Sequence, residues 1–399
     1  MKRLGELLPE VRRVTTFPPE LDGLLGELCA AVDADEALLA HVWALHREAF
    51  TDRESEGGLM QLSADEALVA RLPGRLRPLF LAAPLVANIE ALQTLYRRRG
   101  IDEQTLRDTL ADLPYWMAEQ HRATGVWSCQ MFGWLRMHMA GKLFRLGRMQ
   151  FAFHPFPSME ATYCVHILRH NATGRVAALS EDGLVYRRDG YAQGQNGIRD
   201  DFAFAAVYRE QGNSYIGHLA DPVSGRVAMR PVALPRDQWT PIVRRGDVVM
   251  DIHVPSGIPL TVADCAASFQ RADAFFAAHF PETPWEIFFG QSWILSPQLD
   301  QVLPERSNLA RFQRQFYHFP ALADDARMFE RVFPGPPEQL MHSDRPADVF
   351  SLPRGTSLQR NMLDFLAQGN EFHCMNGFFC RRDAAAFGRA PYAQAHKEV

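Results

Sequence analysis

Apolar residues recur along this chain with two different periods, and the change between them falls near residue 140. Upstream, Leu21, Leu24, Leu25, Leu28 and Cys29 return every three or four residues, as do Leu38, Leu39, Val42, Trp43 and His46. That spacing gathers each set on one stripe of a helix, so residues 20 to about 140 are expected to be helical. The punctuation agrees. Asp33 to Glu36 places acidic residues at a helix start, facing the positive end of the dipole, and Glu56-Gly57-Gly58 and Leu72-Pro73-Gly74 interrupt the periodicity. A helix from Pro84 should end at Gly100 after Arg97-Arg98-Arg99, since cations and then Gly suit a helix C-terminus. Asp102 then caps a helix carrying Leu106, Leu110 and Leu113.

Beyond residue 140 the period moves toward two. Leu143–Phe153, Thr162–Arg169 and Arg175–Leu179 read as strands, with Asn171-Ala172-Thr173-Gly174 as a hairpin turn. A polar loop, Arg187 to Asp201, precedes a strand at Phe202–Tyr208, and Asp221 to Gly225 makes another turn. Val248–Val254 is a β-branched strand stopped by Pro255, whose ring removes a donor and restricts the preceding residue. An amphipathic helix follows from Thr261 to about Ala278, where Thr261 and Asp264 approximate a capping box. Next come a strand at Trp285–Leu295, interrupted by Gly290 and Ser292, and a helix opened by Ser296-Pro297. Ser307 is placed as a further cap, Gly355 to Arg360 opens a helix that ends at Gln368-Gly369, and Phe372–Phe379 closes the sheet with Gly377 as a bulge. The expected class is α+β, with a helical domain over 1–130 and a mixed sheet flanked by helices over 131–399.

Length supports that division, because 399 residues exceed one ordinary core. With 47% apolar and 22% charged residues the composition is that of a globular protein. A net charge of −5 leaves no cationic surplus to neutralise phosphates, so nucleic acid is not an expected partner. No apolar run reaches the ~20 residues of a membrane span. Glu6, Glu10 and Arg12-Arg13 break what would be a signal-peptide core, so a cytoplasmic location is expected. The six cysteines lack any C-x-x-C pair, which predicts reduced, mostly buried thiols and no metal site.

Candidate chemistry concentrates around residues 250–312. Strand, Gly-containing loop and helix N-terminus together form an anion site, in which Val254, Ser256, Gly257 and Thr261 border a place for a diphosphate. Many α/β proteins share that arrangement. Asp251 and His253 lie two apart on a strand and so share a face. They read either as a base with its orienting carboxylate or as a structural histidine bonded to backbone. Ser292 either donates to a bound carbonyl or satisfies neighbouring backbone, and no G-x-S-x-G elbow surrounds it. Arg311 contacts a phosphate or forms a surface ion pair. His373 and Cys374 fall on opposite sides of a strand, a poor dyad, and Met131–Met139, with Trp134 and His138, reads as core rather than a cofactor box. The chain has no P-loop, H-E-x-x-H or G-x-G-x-x-G, which argues against nucleotide hydrolysis, zinc proteolysis and dinucleotide redox.

Several segments, in order, resemble a bacterial acyltransferase family. They are Gly133-Trp134-Leu135, Leu143-Phe144-Arg145-Leu146-Gly147-Arg148-Met149-Gln150-Phe151, Asp251-Ile252-His253-Val254-Pro255, Ser292-Trp293-Ile294-Leu295, Ser307-Asn308-Leu309 and Thr356-Ser357-Leu358-Gln359-Arg360. The resemblance spans about residues 20–380. It implies a helical N-terminal domain followed by a GNAT-like mixed sheet. It also implies acyl-CoA as co-substrate, with no tightly bound cofactor. In a GNAT fold the fourth strand and the helix after it splay from the fifth strand. Acyl-CoA lies in the opening, its diphosphate at the helix N-terminus. Val248–Val254, the helix from Thr261 and Trp285–Leu295 fit that order. One departure is plain: Pro255-Ser256-Gly257-Ile258-Pro259-Leu260 replaces the usual R/Q-x-x-G-x-G/A loop, and two prolines remove backbone donors. An acyl carrier protein therefore stands beside acyl-CoA as donor.

The activity implied is acyl transfer to the amine or hydroxyl of a small molecule or peptide. His253 would be the base and Asp251 its orienter, with Ser292 near the carbonyl or leaving thiolate. Val254, Ser256, Gly257, Thr261 and Arg311 would hold the donor. The alternatives are a non-catalytic GNAT-like scaffold binding an acylated ligand or partner protein, and a hydrolase using Ser292 or a cysteine.

Overall fold

Leu4, Leu7, Leu8, Val11 and Val14 follow helical spacing and are all buried, so the first helix begins well before the stripe at Leu21. The computed structural model describes residues 1–157, 163–323, 325–333 and 351–395. By compactness the chain divides into Met1–Ala152 with Phe275–Phe280, and Phe153–Ala274 with Pro281–Val399.

In the first unit the described helices are α1 (Leu4–Val14), α2 (Pro19–Asp33), α3 (Glu36–Arg47), α4 (Glu66–Val69), α5 (Ala82–Ala87), α6 (Ile89–Arg99), α7 (Glu103–Leu110), α8 (Asp112–Thr124) and α9 (Phe132–Met139). Their ends follow local chemistry where the side chains are local. Asp35 accepts from Ala37 and Leu38 N–H, Asp102 accepts from Thr105 N–H, and Gly100 closes α6 at φ 67°. The cap on α1 is not local: Asp33, at the end of α2, accepts from the N–H groups of Leu4 and Gly5, each at 2.7 Å.

The single helix expected from Pro84 is two, broken at Asn88. The buried Asn88 amide accepts through Oδ1 from His46 Nε2 at 2.9 Å and donates from Nδ2 to Met139 O at 2.8 Å, bonds that fix the chain at the break. Gly133 lets α9 lie against the 58–60 segment, since a Cβ there would come within 2.2 Å of Met60 O. The adjoining stretch expected as one strand is a hairpin, β1 (Leu143–Leu146) and β2 (Met149–Pro155), registered from Leu143↔Ala152 to Leu146↔Met149. Gly147 makes the turn at φ 79°, a left-handed value that a side chain disfavours.

The second unit opens with an antiparallel pair, β3 (Val165–His170) and β4 (Val176–Ser180), turned at Asn171–Gly174 as the sequence predicts. Thr162, expected to begin β3, lies outside the described residues. The strand expected at Phe202–Tyr208 is instead two short pieces. After β5 (Val185–Tyr186) come β6 (Phe204–Ala205) and β7 (Tyr208–Gln211), followed by β8 (Ser214–Gly217), β9 (Val232–Pro235) and β10 (Trp239–Val243). β10 pairs with β3, and β8 lies between β7 and β9.

Then come β11 (Val248–His253), α10 (Val262–His279), β12 (Ile287–Ser292), α11 (Leu299–Val302), α12 (Asn308–Gln313), β13 (Tyr317–Pro320), α13 (Ala326–Val332), α14 (Ser357–Ala367), β14 (Met375–Cys380) and α15 (Pro391–Ala395). β11, β12, β14 and β13 lie side by side in that order; the first pair is parallel and the other two antiparallel. The class is therefore the expected α+β with a mixed sheet. Phe269 of α10 packs on Phe288 at 4.7 Å and Phe387 at 4.6 Å between ring centroids. Burying each such ring is worth roughly 2–3 kcal/mol, which ties the helix to one face.

Two expectations about strands fail for packing reasons. Trp285–Leu295 is a strand only from Ile287 to Ser292, because Trp293–Leu295 tightens into a 3₁₀ turn, and the helix expected at Ser296 begins at Leu299. Gly377 is no bulge. It pairs in unbroken register with Gly290 and His318, and a Cβ would press on Leu295 Cδ1 at 3.1 Å and Phe316 Cβ at 3.2 Å. Thr356 and Gln359 form the reciprocal capping box that opens α14.

Candidate active site

β11 and β12 are in register at Met250↔Phe288 and Asp251↔Phe289, and both strands run on past these pairs. Paired residues share a face, and alternate residues return to it. Met250 and Phe288 therefore face α10, while Asp251 and Phe289 face the other way. Two residues further along, His253 and Gln291 lie on that second face. On the α10 side Ile252 lies over Gly290, where a Cβ would meet Ile252 Cγ1 at 3.0 Å. The close approach that Gly290 permits is by a neighbouring side chain.

Asp251 is buried, and its Oδ2 lies 3.2 Å from Nε2 of His253, whose side chain is 25% exposed. A carboxylate at Nε2 favours a proton on that nitrogen, which makes Nδ1 the proton-accepting one. The structure thus brings Asp251 and His253 together at the outer end of β11. It separates Ser292 from them. Ser292 follows Gln291 in a regular strand paired through Ser292↔Met375, so its side chain turns to the opposite face. There its hydroxyl accepts from Ile294 N–H at 3.3 Å and caps the 3₁₀ turn.

A second polar pair sits on the His253 face, and the sequence reading missed it. Gln291 stands opposite Asn376 on β14 and donates from Nε2 to Asn376 Oδ1 at 3.0 Å. Asn376 is fully buried and donates from Nδ2 to Pro320 O at 2.8 Å and to Tyr163 O at 3.4 Å. Two polar residues interrupting apolar strands were the available signal, but their pairing depends on the register of distant segments.

The loop after β11 is less suited to an anion than its outline suggests. Val254 is half-buried, Ser256 and Gly257 are exposed, and Gly257 takes φ 87°. Thr261 Oγ1 accepts from Asp264 N–H at 3.1 Å, and its hydroxyl donates to the Asp264 carboxylate. Only the first half of a capping box forms, and it uses a backbone donor and adds a negative charge at the helix start. Arg311 is exposed on α12 and makes no ion pair among the described residues. Ser307 holds the N-cap position of α12 without a side-chain bond.

Other polar groups are structural. His138 is fully buried, 3.2 Å from Asp112 Oδ2, with Nδ1 2.9 Å from Trp134 O. His373 stacks on Tyr191 at 3.7 Å, and burial pushes its imidazole down to about 3. All six cysteines are buried and outside any disulfide, and burial pushes the thiols of Cys29, Cys129, Cys164 and Cys380 up to about 12. A cleft of about 440 Å³ lined by Arg169, Asp273, Trp285, Glu286 and Arg381 opens at the other end of β12 from Gln291. Arg169 and Arg381 are already paired there with Glu286 and Asp273. No described helix is long and apolar enough to cross a membrane.

Comparison with known proteins places this geometry in context. Residues 143–379 match the GNAT-like C-terminal domain, and residues 6–141 match the N-acyltransferase N-terminal domain. No curated protein sequence matches the chain. Among solved structures, a mutant acyltransferase in complex with octanoyl-CoA superposes with TM-score 0.58 at 20% identity, over 95% of this chain and 89% of that one. An acyltransferase in complex with decanoyl-CoA and teicoplanin gives 0.58 at 21%, over 95% and 89%. An acyltransferase in complex with CoA and 10C-Teicoplanin gives 0.55 at 22%, over 94% and 87%. At these identities the likeness is one of fold.

Proposed function

The chain belongs to the GNAT-like acyltransferase family that carries an N-acyltransferase N-terminal domain, and from that premise we propose that it moves an acyl group from a coenzyme A thioester to an amine by direct attack. The observation that carries this reading is the Asp251–His253 pair at the outer end of β11. The acceptor nitrogen attacks the thioester carbonyl, an N–C bond forms and the C–S bond breaks. His253 Nδ1 takes the proton the nitrogen loses, and the thiolate leaves to be protonated by solvent. Asp251 stabilises the imidazolium so formed and holds the ring in place. Backbone N–H groups at the strand ends would polarise the carbonyl. Ser292 has no part in this scheme, since its side chain turns to the face opposite His253, where its oxygen accepts from Ile294 N–H.

The fold neighbours were solved with octanoyl-CoA and decanoyl-CoA, which supports a medium-chain acyl donor here. Val254, Ser256, Gly257 and Thr261 remain the residues proposed to border its diphosphate, with Arg311 proposed as a further cation. Replacing His253 with Ala should lower turnover by about 10²–10⁴-fold in a folded protein. Unchanged thiol release from decanoyl-CoA with an amine acceptor would overturn the assignment.

A second reading, a scaffold that binds an acylated ligand without turning it over, draws on the α10 N-terminus. Pro255 and Pro259 bring no N–H to the loop, and Asp264 puts a carboxylate in the first turn. Thermal stability against a series of acyl-CoAs separates the two. A ligand at about 100 times its dissociation constant should add about 2.7 kcal/mol. A shift with no thioester consumed favours the scaffold. No shift with any acyl-CoA points to a carrier-protein donor.

A further inference from the structure

We infer that Gln291, held by Asn376, is the residue that selects a primary amine over a hydroxyl as acyl acceptor; the inference rests on the acyl-transfer reading of His253. The argument begins with Asn376. Its Nδ2 donates to Pro320 O and Tyr163 O, so its Oδ1 is an acceptor and admits only a donor. Gln291 must then present its NH₂ group to Asn376, as the 3.0 Å Nε2–Oδ1 bond records. The Gln291 amide is thereby fixed in one of its two flips, with carbonyl Oε1 turned away from β14. Burial of Asn376 makes this hold firm, because rotating it would turn its oxygen toward two backbone carbonyls with no water to intervene.

Gln291 and His253 occupy equivalent places on neighbouring strands. Each lies two residues past the Asp251↔Phe289 pair, on the face away from α10. The nucleophile that enters there meets two acceptors, Nδ1 of His253 and Oε1 of Gln291. A primary amine carries two hydrogens. One goes to His253 as the N–C bond forms, and the other is bonded to Gln291 throughout the attack. An alcohol has a single hydrogen, which the base must take, so Gln291 would face an oxygen lone pair with nothing to accept. Two acceptors around one nucleophile match an –NH₂ group.

The test compares wild type, Gln291→Met and His253→Ala with decanoyl-CoA as donor and benzylamine as acceptor probe. Methionine keeps the length and bulk of glutamine and removes the acceptor. The expected result for Gln291→Met is a KM for benzylamine raised about ten-fold, with the KM for decanoyl-CoA and the melting temperature unchanged. In wild type benzylamine should be acylated far faster than benzyl alcohol, and Gln291→Met should narrow that ratio. An unchanged benzylamine KM, or an equal rise in both KM values, overturns the inference while a dead His253→Ala leaves the transferase reading intact. Stabilisation of the protein by benzylamine alone needs no turnover. It should appear in wild type and vanish in Gln291→Met, and equal shifts in both overturn the role of Gln291 even if the transferase reading itself fails.

Discussion

Replacing Asp112 with Asn should destabilise the first unit, and the penalty should fade in acid. Asp112 is buried, and its Oδ2 meets His138 Nε2 at 3.2 Å, Trp116 Nε1 at 3.3 Å and Trp134 Nε1 at 3.4 Å. Burial by itself would raise this carboxyl, but the His138 bond and charge, with donors from Gln150 and Trp134, bring it down to about 2 from 3.8. A carboxyl lowered in the folded state stabilises the fold above the unfolded value and loses that contribution as pH falls through the folded one. The difference corresponds to roughly 2–3 kcal/mol at neutral pH. Asparagine can still present a carbonyl oxygen to these donors but offers no charge to hold them, so a loss of about 3 kcal/mol is expected at pH 7.

The assay is urea unfolding of both proteins from pH 7 to pH 2, followed by tryptophan fluorescence, since two indoles donate to this carboxylate. The stability gap should hold from pH 7 to about 4, then shrink toward zero near pH 2 as the wild-type carboxylate is protonated. Titrating groups that do not touch Asp112 cancel in the difference. A gap that is absent at pH 7, or that persists undiminished at pH 2, refutes the reasoning.

Further outcomes follow from other buried groups. Gly133→Ala should cost more than about 3 kcal/mol in thermal or urea unfolding, because the 2.2 Å approach to Met60 O is to backbone that cannot step aside. Burial pushes His318 down to about 4 and His373 to about 3, so the unfolded chain binds protons below about 6.5 that the folded one refuses. Stability should therefore decline as pH falls from 6.5 toward 4, and His318→Asn should flatten that slope in a pH series of melting curves. In native protein at pH 8 a thiol reagent should label the six buried cysteines slowly, with all six released in denaturant; fast labelling of any one would contradict its burial.

Local chemistry was legible wherever the partners were close in sequence. Asp35, Asp102, Gly100 and the Thr356–Gln359 box all cap the helices that the sequence predicted. The strand pattern also put Asp251 and His253 on one face, and the structure brings their side chains within 3.2 Å. Reading failed where the answer lay in a distant partner. The sequence left Ser292 open between a bound carbonyl and its own backbone until its hydroxyl met Ile294 N–H, and Gly290 and Gly377 looked like irregularities until Ile252, Leu295 and Phe316 filled the space beside them. Asp112 and His138 attracted no attention as a pair because 25 positions separate them in sequence.

By itself the sequence determined the class, since period 3.6 before residue 140 and period two after it follow from burying one face of each element. It determined the order of elements around the candidate site and the resemblance to GNAT-like acyltransferases. Tertiary structure alone decided which polar groups converge. The register of β12 on β14 sets Gln291 against Asn376, and the course of β13 supplies the Pro320 carbonyl that fixes the amide. Hydrogen bonds between strands join residues with no sequence relation, so the direction in which a glutamine carbonyl points is a property of the folded sheet.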